Sequence, residues 1–443
     1  MSQTHKFRLP RVGARIHFIG VLGAGMLPLA RLLISRGYIV SGSDLRAPEG
    51  DLPPGLNFTQ GHSPDNVASA DVCVFSLAVP DDSPELCRAA ELGIPRVSRP
   101  ELLGAVVESF SCSIAVAGSH GKSSVTAMIA AVLKSLNPTV ICGADIGDDG
   151  FIAGSGELLV YEACEYRDAF LKTCPTYAVL LNIELDHTDY FSDISALAAS
   201  FSRFAASAER VIYNADDSRL SEICNGLNSL GFGRAESAFY RCVPLGRGSF
   251  ELYRKGERAC DAEVSLLGDF NLINATAAAA TGYELGISWD EIRYRLAGFR
   301  AIPRRLELLG TLGGDAVYYD YAHHPSEISA GIDALRAILG GDITVVFRPH
   351  TYSRTASLKE DFKRALSRAD RVILLDIFAA REAEIEGVSS ERLVDEIGER
   401  AIYAESQRAA ADLLLCERRG TIVLMGAGDV SELKKIIEKE LDK

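Results

Sequence analysis

Lys122 follows Gly118-Ser119-His120-Gly121 and precedes Ser123-Ser124. A lysine and hydroxyls directly after a glycine-bearing turn are the residue types that hold a nucleotide's phosphates. Loop N–H groups cradle the oxygens, the ammonium reaches the β- and γ-phosphates, and a hydroxyl binds Mg2+. The loop departs from the usual G-x-x-x-x-G-K-[ST] spacing: Val116 stands where the first glycine belongs, and Gly118 comes two positions late. Gly-Lys-Ser tripeptides are common, so the context decides. Downstream, "LLVYEACEYRDAFL" brings Glu162 and Glu165, and "YAVLLNIELDHTDYF" brings Asn182, Glu184, Asp186, His187 and Asp189. Carboxylates beside phosphates suit Mg2+, and a histidine suits a second metal on the far side of a γ-phosphate. Taken singly, the two glutamates could be solvated strand ends, His187 could hydrogen-bond a loop, and Cys164 reads as small apolar filler.

Three other groups of residues have chemical potential. Gly20, Gly23 and Gly25 form a tight turn before a helix, with Asp44 about 20 positions on. Bare N–H groups at a helix N-terminus favour an anion, and the acid could accept from a ribose hydroxyl. The order G-x-x-G-x-G, with Pro28 in the place of a third glycine, does not imply nicotinamide chemistry; a ligand-free turn is the alternative. Asn271 and Asn274 lie three apart on a small-residue helix, either capping it or hydrogen-bonding a base. Asp320 with His323 and His324, then Arg348, His350, Tyr352 and Arg354, follow two apolar runs, as groups that would bind phosphate or carboxylate.

These residues need strand ends to hold them, and the patterning provides three βα-rich segments. The first, ending near residue 110, predicts strands at 15–19, at "YIVSGSD", at 71–79 and at 95–99, with a helix from 26 to 35 stopped by Gly37. The second predicts a strand at 113–117, the loop, and a helix from 123 to 136. Strand, glycine turn, Lys-Ser and helix is the context a phosphate loop requires, and α/β ligand sites lie at the carboxyl edge of a parallel sheet. The third runs from about 305 to 443 and repeats the doubly wound plan.

Composition narrows the class. With 443 residues, 47% hydrophobic and 24% charged, the chain is an ordinary globular protein of two to four domains. A net charge of −14 argues against a nucleic-acid partner. No apolar run reaches transmembrane length, and the N-terminus lacks the apolar core of a signal peptide, so no membrane association is expected. Ten scattered cysteines without C-x-x-C pairs read as reduced thiols.

The motifs together resemble the Mur ligases, ATP-dependent enzymes that add amino acids to the peptidoglycan precursor. "IHFIGVLGAGM…GYIVSGSD", "GSHGKSSVTAM", "EACEYRDAF", "NIELDHTDYF", "FNLINATAA", "RRLELLG", "DYAHHPSE", "FRPHTYSRT" and "GAGDV" occur in the family's order over nearly the whole chain. The short G-[ST]-x-G-K-[ST] loop is the family's own form, which accounts for Val116. Within the family the motifs are most similar to those of the member that joins L-alanine to UDP-N-acetylmuramate. The resemblance implies an α/β fold of three domains: a Rossmann-like UDP-sugar-binding domain at 1–110, a central P-loop ATPase domain with a mostly parallel sheet at 111–304, and a Rossmann-like amino-acid-binding domain at 305–443.

It also implies roles. Gly23, Ala24, Gly25, Asp44 and, more weakly, His62 would contact the UDP-sugar, with Glu165 near the substrate. Gly118, Ser119, His120, Gly121, Lys122, Ser123 and Ser124 would hold ATP; Asn271 and Asn274 would face the adenine. Arg305 and Asp320, with His323 or His324, would approach the nucleotide from the far side. Ser123, Glu162 and His187 would bind Mg2+, and His350 and Arg354 would hold the amino acid, Arg354 on its carboxylate. Serines replace the commoner threonines at 119, 123 and 124, Phe270 replaces a frequent histidine, Thr351 a frequent arginine, and "EACEYRDAF" a frequent E-A-D-E-S. The implied protein is a cytoplasmic monomer or homodimer. A ligase that recycles a whole peptide and a non-catalytic nucleotide-sensing paralogue are the alternatives.

Overall fold

A computed structural model describes residues 7–48, 50–380, 382–417, 420–427 and 430–441. Gly428 and Asp429 of "GAGDV" and the first six residues lie outside them. The chain packs as two compact units: residues up to Ile183 with Ala198–Phe239 and Ala277–Ile292, and Glu184–Leu197 with Tyr240–Thr276 and Arg293 onward. The architecture is α/β, built on mostly parallel sheets.

The first unit holds a five-stranded parallel sheet in the order Leu56–Gln60, Ile39–Asp44, Arg15–Ile19, Val72–Phe75, Arg96–Ser98. Ile16, Phe18 and Ile19 are fully or almost fully buried, as expected of a central strand covered on both faces. Strand order reverses beside Arg15–Ile19, the crevice where doubly wound sheets bind ligands. Gly42 is required inside its strand because a Cβ there would meet the Val21 side chain at 2.7 Å. Pro28 sits in the first turn of the helix Leu27–Ser35, where no N–H is needed, so it is no obstacle in the glycine turn. The apolar stretch 71–79 is a strand only over Val72–Phe75. Ser76–Val79 turns before Pro80, and Val79 is apolar because it packs on the cluster of Ile19, Val67 and Cys73.

The first unit's second group of strands runs Ser229–Gly233, Arg210–Asn214, Tyr177–Leu180, Cys112–Ala117, Leu158–Glu162, Thr139–Ile141 in parallel, then Phe151–Ile152 antiparallel. The helix after the loop is Lys122–Val132, shorter than the pattern 123–136 suggests. A 3-10 turn, Lys134–Leu136, follows and stops at Asn137, left-handed at φ 48°, before Pro138.

In the second unit, Tyr240–Gly246, Ser249–Arg254 and Glu257–Glu263 form an antiparallel meander. Its turns, Arg247-Gly248 and Lys255-Gly256, have positive φ at both residues, the geometry of two-residue hairpins. A six-stranded sheet follows in the order Glu307–Leu312, Asp315–Asp320, Thr421–Met425, Ile343–Phe347, Arg371–Leu375, Ala401–Ala404, parallel except for its first pair. Ile328, Ile332, Leu335 and Phe362 belong to one of its buried clusters, and Ala410, Leu414, Leu433 and Ile437 to another. No helix among the described residues is long and apolar enough to cross a membrane. All ten cysteines are free.

Candidate active site

The phosphate loop leaves the carboxyl end of Cys112–Ala117 and enters the helix Lys122–Val132. Gly121 caps that helix in the left-handed region at φ 82°, where a side chain would be strained. Gly118, at φ 155°, runs so close to the next strand's exit that a Cβ would meet the Leu181 Cβ at 2.9 Å. No side chain caps the helix, so its first N–H groups face outward, as an anion site requires. Asn182 braces the loop: its Oδ1 accepts from His120 N at 2.8 Å, and its Nδ2 donates to His120 O at 3.1 Å. Ser123 is buried beneath the loop.

Lys122 folds over this cradle. Its Nζ donates to Gly118 O at 2.5 Å and Ser119 O at 3.2 Å, and to the Glu165 carboxylate at 3.0 and 3.1 Å. Burial works against the ammonium's charge, but the charge and hydrogen bonds of the almost wholly buried Glu165 raise its pKa above the ordinary value. Of the two glutamates, Glu165 is therefore the one in contact with the loop lysine. Glu162 accepts from the Cys142 thiol at 2.8 Å, and its charge also supports that of Lys122.

On the first sheet, Gly23, Ala24 and Gly25 lead into the helix Leu27–Ser35. Asp44 ties the neighbouring strand end to that turn: Oδ2 accepts from Leu22 N and Oδ1 from Arg46 N, both at 3.1 Å. His62 Nδ1 lies 3.1 Å from Ser43 Oγ. Sequence reasoning missed Arg99. Its guanidinium lies over the turn, with Nη1 3.2 Å from where a Gly25 Cβ would stand, and among the described residues it has no hydrogen-bond or ion-pair partner. Glycine at 25 is what lets this cation approach.

In the second unit, Asp186 and Arg354 form a buried pair, Nε and Nη2 reaching Oδ1 at 2.9 and 2.8 Å. Burial opposes the Asp186 charge, yet Arg354 holds its carboxyl far below the usual range. The remaining Arg354 nitrogen, Nη1, donates to His350 Nδ1 at 3.0 Å, which puts the His350 proton on Nε2. The arginine expected on the amino acid's carboxylate is thus paired with Asp186 and His350 in this structure. His187 follows Asp186 at φ 54° and donates its N–H to Asp186 Oδ1 at 2.7 Å.

Burial lowers His323 to about 3 and His350 to about 4, so both are neutral at physiological pH. His323 Nδ1 donates to Tyr321 O at 3.1 Å, leaving Nε2 without a proton, whereas His324 Nε2 donates to Leu185 O at 3.3 Å and its Nδ1 caps the helix Pro325–Leu339. Burial pushes the Asp320 carboxyl up to about 7 against the pull of Arg305. Arg305 lies 3.6 Å from Glu327 and sits between Arg304 and Leu306, which have φ of 64° and 46°. Such backbone is strained for residues with a Cβ and concentrates at functional sites. Asn271 is buried and donates to Leu267 O at 2.7 Å; Asn274 donates to Asn271 Oδ1 at 3.1 Å.

Three family models match in succession: the Mur ligase family catalytic domain over residues 15–111, the Mur ligase middle domain over 116–282, and the Mur ligase glutamate ligase domain over 304–428. The chain belongs to the Mur ligase family, a family of ATP-dependent ligases. A UDP-N-acetylmuramate–L-alanine ligase of Caldicellulosiruptor saccharolyticus is 36% identical over 451 residues, covering 97% of this chain and 98% of the relative. That of Clostridium novyi is 36% identical over 442 residues, covering 94% and 95%. Among solved structures, a UDP-N-acetylmuramate–alanine ligase from Thermotoga maritima superposes with TM-score 0.79 at 24% identity, covering 96% of this chain and 98% of that one. A murein peptide ligase from Psychrobacter arcticus superposes with TM-score 0.70 at 20% identity, covering 97% and 98%. At those identities the two structures speak for the fold alone.

Proposed function

We propose that this chain is a cytoplasmic ligase that uses ATP and Mg2+ to join L-alanine to the carboxylate of UDP-N-acetylmuramate in peptidoglycan precursor synthesis. The single observation that carries the reading is Lys122, a charged lysine held over an uncapped helix N-terminus with Glu165 beside it. Full-length relatives named UDP-N-acetylmuramate–L-alanine ligase support the choice of substrates.

Residues 1–110 would bind the UDP-sugar, 111–304 ATP, and 305–443 the amino acid. Gly118 to Ser124 are fitted to a triphosphate: two glycines in backbone that disfavours a Cβ, uncapped N–H groups and a buried hydroxyl at 123. Ser123 and Glu162 would hold Mg2+ there, with Glu165 near them, and His187 would serve a second ion. When bound, the magnesium nucleotide supplies the phosphoryl group that turns an unreactive carboxylate into an acyl phosphate, which the amine then attacks, expelling phosphate. Lys122 would leave Glu165 for the terminal phosphate and neutralise it, so the protein contributes mainly positioning and electrostatics. Gly23, Ala24, Gly25 and Arg99 would hold the diphosphate of the sugar nucleotide, and Asp44 would accept from its ribose hydroxyl. Asn271 and Asn274 would face the adenine, with Arg305 and Asp320 on the phosphate side. His350 and Arg354 would shape the amino-acid site. Among the third domain's histidines, His323 keeps a bare Nε2, but burial that lowers it to about 3 makes it a weak base, and the scheme requires no dedicated one.

Phosphate release with ATP and UDP-N-acetylmuramate tests the reading. Release that depends on L-alanine supports it. Release that depends only on a tripeptide would assign the chain to peptide recycling, with the Psychrobacter structure named a murein peptide ligase, and no release under either condition would make it a non-catalytic paralogue.

A further inference from the structure

Beside the first sheet lies a carboxylate that the chemistry above does not use. Glu85, in the helix Pro84–Glu91, is completely buried. Its Oε2 accepts from Ser43 Oγ at 2.9 Å and lies 2.7 Å from His62 Nδ1. Its Oε1 accepts from Asn66 Nδ2 at 2.7 Å and lies 3.4 Å from His17 Nε2. Burial opposes its charge, but the hydrogen bonds of His17, Asn66 and Ser43 outweigh it and hold the carboxyl below the usual range.

An ionised carboxylate only accepts, so His62 Nδ1 carries a proton. In the neutral ring Nε2 is then a bare lone pair. It has no hydrogen-bond partner among the described residues, and the His62 side chain is 19% exposed while that of Glu85 is not exposed at all. The same hub is tied to the glycine turn. Ser43 O accepts from Gly20 N at 2.8 Å and Val21 N at 3.0 Å, and Asp44 O accepts from Gly61 N at 2.8 Å, next to His62.

We propose that Glu85 is a positioning residue for the nucleotide-sugar: it fixes His62 as the Nδ1–H tautomer and presents Nε2 as an acceptor to a hydroxyl or N–H of the nucleoside. The inference rests on reading residues 1–110 as the UDP-sugar domain. In that role a carboxylate with no exposed surface sets the recognition chemistry of a histidine that does reach the ligand, as outer partners orient metal-binding histidines.

The test is Glu85→Gln, with UDP binding measured by calorimetry. The amide would donate to Nδ1 and move the His62 proton to Nε2. The expected result is UDP affinity weakened about ten-fold, the scale of one lost buried hydrogen bond, with kcat and the ATP KM changed less than about two-fold. Nitrogen-15 spectra should show His62 protonated at Nδ1 in the wild type and at Nε2 in the variant. In a His62→Ala background, Glu85→Gln should weaken UDP no further. Equal weakening with and without His62, or a wild-type His62 protonated at Nε2, overturns the proposal; the wild-type spectrum decides even if Glu85→Gln does not fold. If His62→Ala binds UDP normally and still ligates, the proposal fails while the ligase reading stands. If the wild type binds no UDP, the ligase reading itself fails.

Discussion

Lys122 pairs with Glu165 and two loop carbonyls, all of which a triphosphate must displace or share. Lys122→Ala should lower turnover by at least roughly 10²–10³-fold, the scale of losing one preorganised charge donor, while UDP binding measured by calorimetry persists. Retained turnover would remove the lysine from the reaction. Arg354 behaves differently. Because it is buried against Asp186, Arg354→Ala leaves an unpaired buried carboxylate and should destabilise the second unit by about 3–5 kcal/mol in urea unfolding. Removing both charges, as Asp186→Asn with Arg354→Met, should restore most of that loss. A stable Arg354→Ala whose only defect is a raised L-alanine KM would instead return the arginine to the amino acid's carboxylate.

At the scale of elements, the loop depends on a residue from another strand's exit. Asn182→Ala removes both side-chain bonds to His120 and should raise the ATP KM by about ten-fold, given about 1–3 kcal/mol for buried groups left unsatisfied, with UDP affinity unchanged. The strand Asp315–Asp320 supplies a pH dependence. Asp320 keeps its proton up to about 7 when folded but only to the ordinary carboxylate range when unfolded. Its folded pKa is raised, so its contribution is full below the unfolded value and is lost as pH rises to about 7. Relative to wild type, Asp320→Asn should therefore gain stability from pH 4 to 7 and level off above, read as urea midpoints. A constant difference would mean the carboxyl is ionised throughout.

What was legible in the sequence follows the same division. Strand, glycine turn, Lys-Ser and helix are contiguous, so local pattern found the loop between Cys112–Ala117 and Lys122–Val132, the glycine turn before Leu27–Ser35 and three βα-rich segments. Partnerships across the fold left no such trace. Asn182 reads as a strand end until His120 is seen against it; Arg99 has no motif; and the two glutamates at 162 and 165 differ only in what they meet, Cys142 or Lys122. The helix end at Val132 and the short strand Val72–Phe75 escaped because apolar residues continue into turns that also pack. The meander from 240 to 263 went unread because its strands are largely polar and half exposed.

For the whole molecule, the succession of Mur ligase domains and the full-length likeness to UDP-N-acetylmuramate–L-alanine ligases describe a ligase that activates a carboxylate before an amine attacks it. Proteins that merely bind nucleotide need no carboxylate activation. The direct measurement is isotopic. UDP-N-acetylmuramate labelled with oxygen-18 in its carboxylate is turned over with ATP and L-alanine, and the released phosphate is weighed by mass spectrometry. One labelled oxygen per phosphate, with ADP as the other nucleotide product, is the predicted result. Unlabelled phosphate, or the label found in AMP, would contradict it.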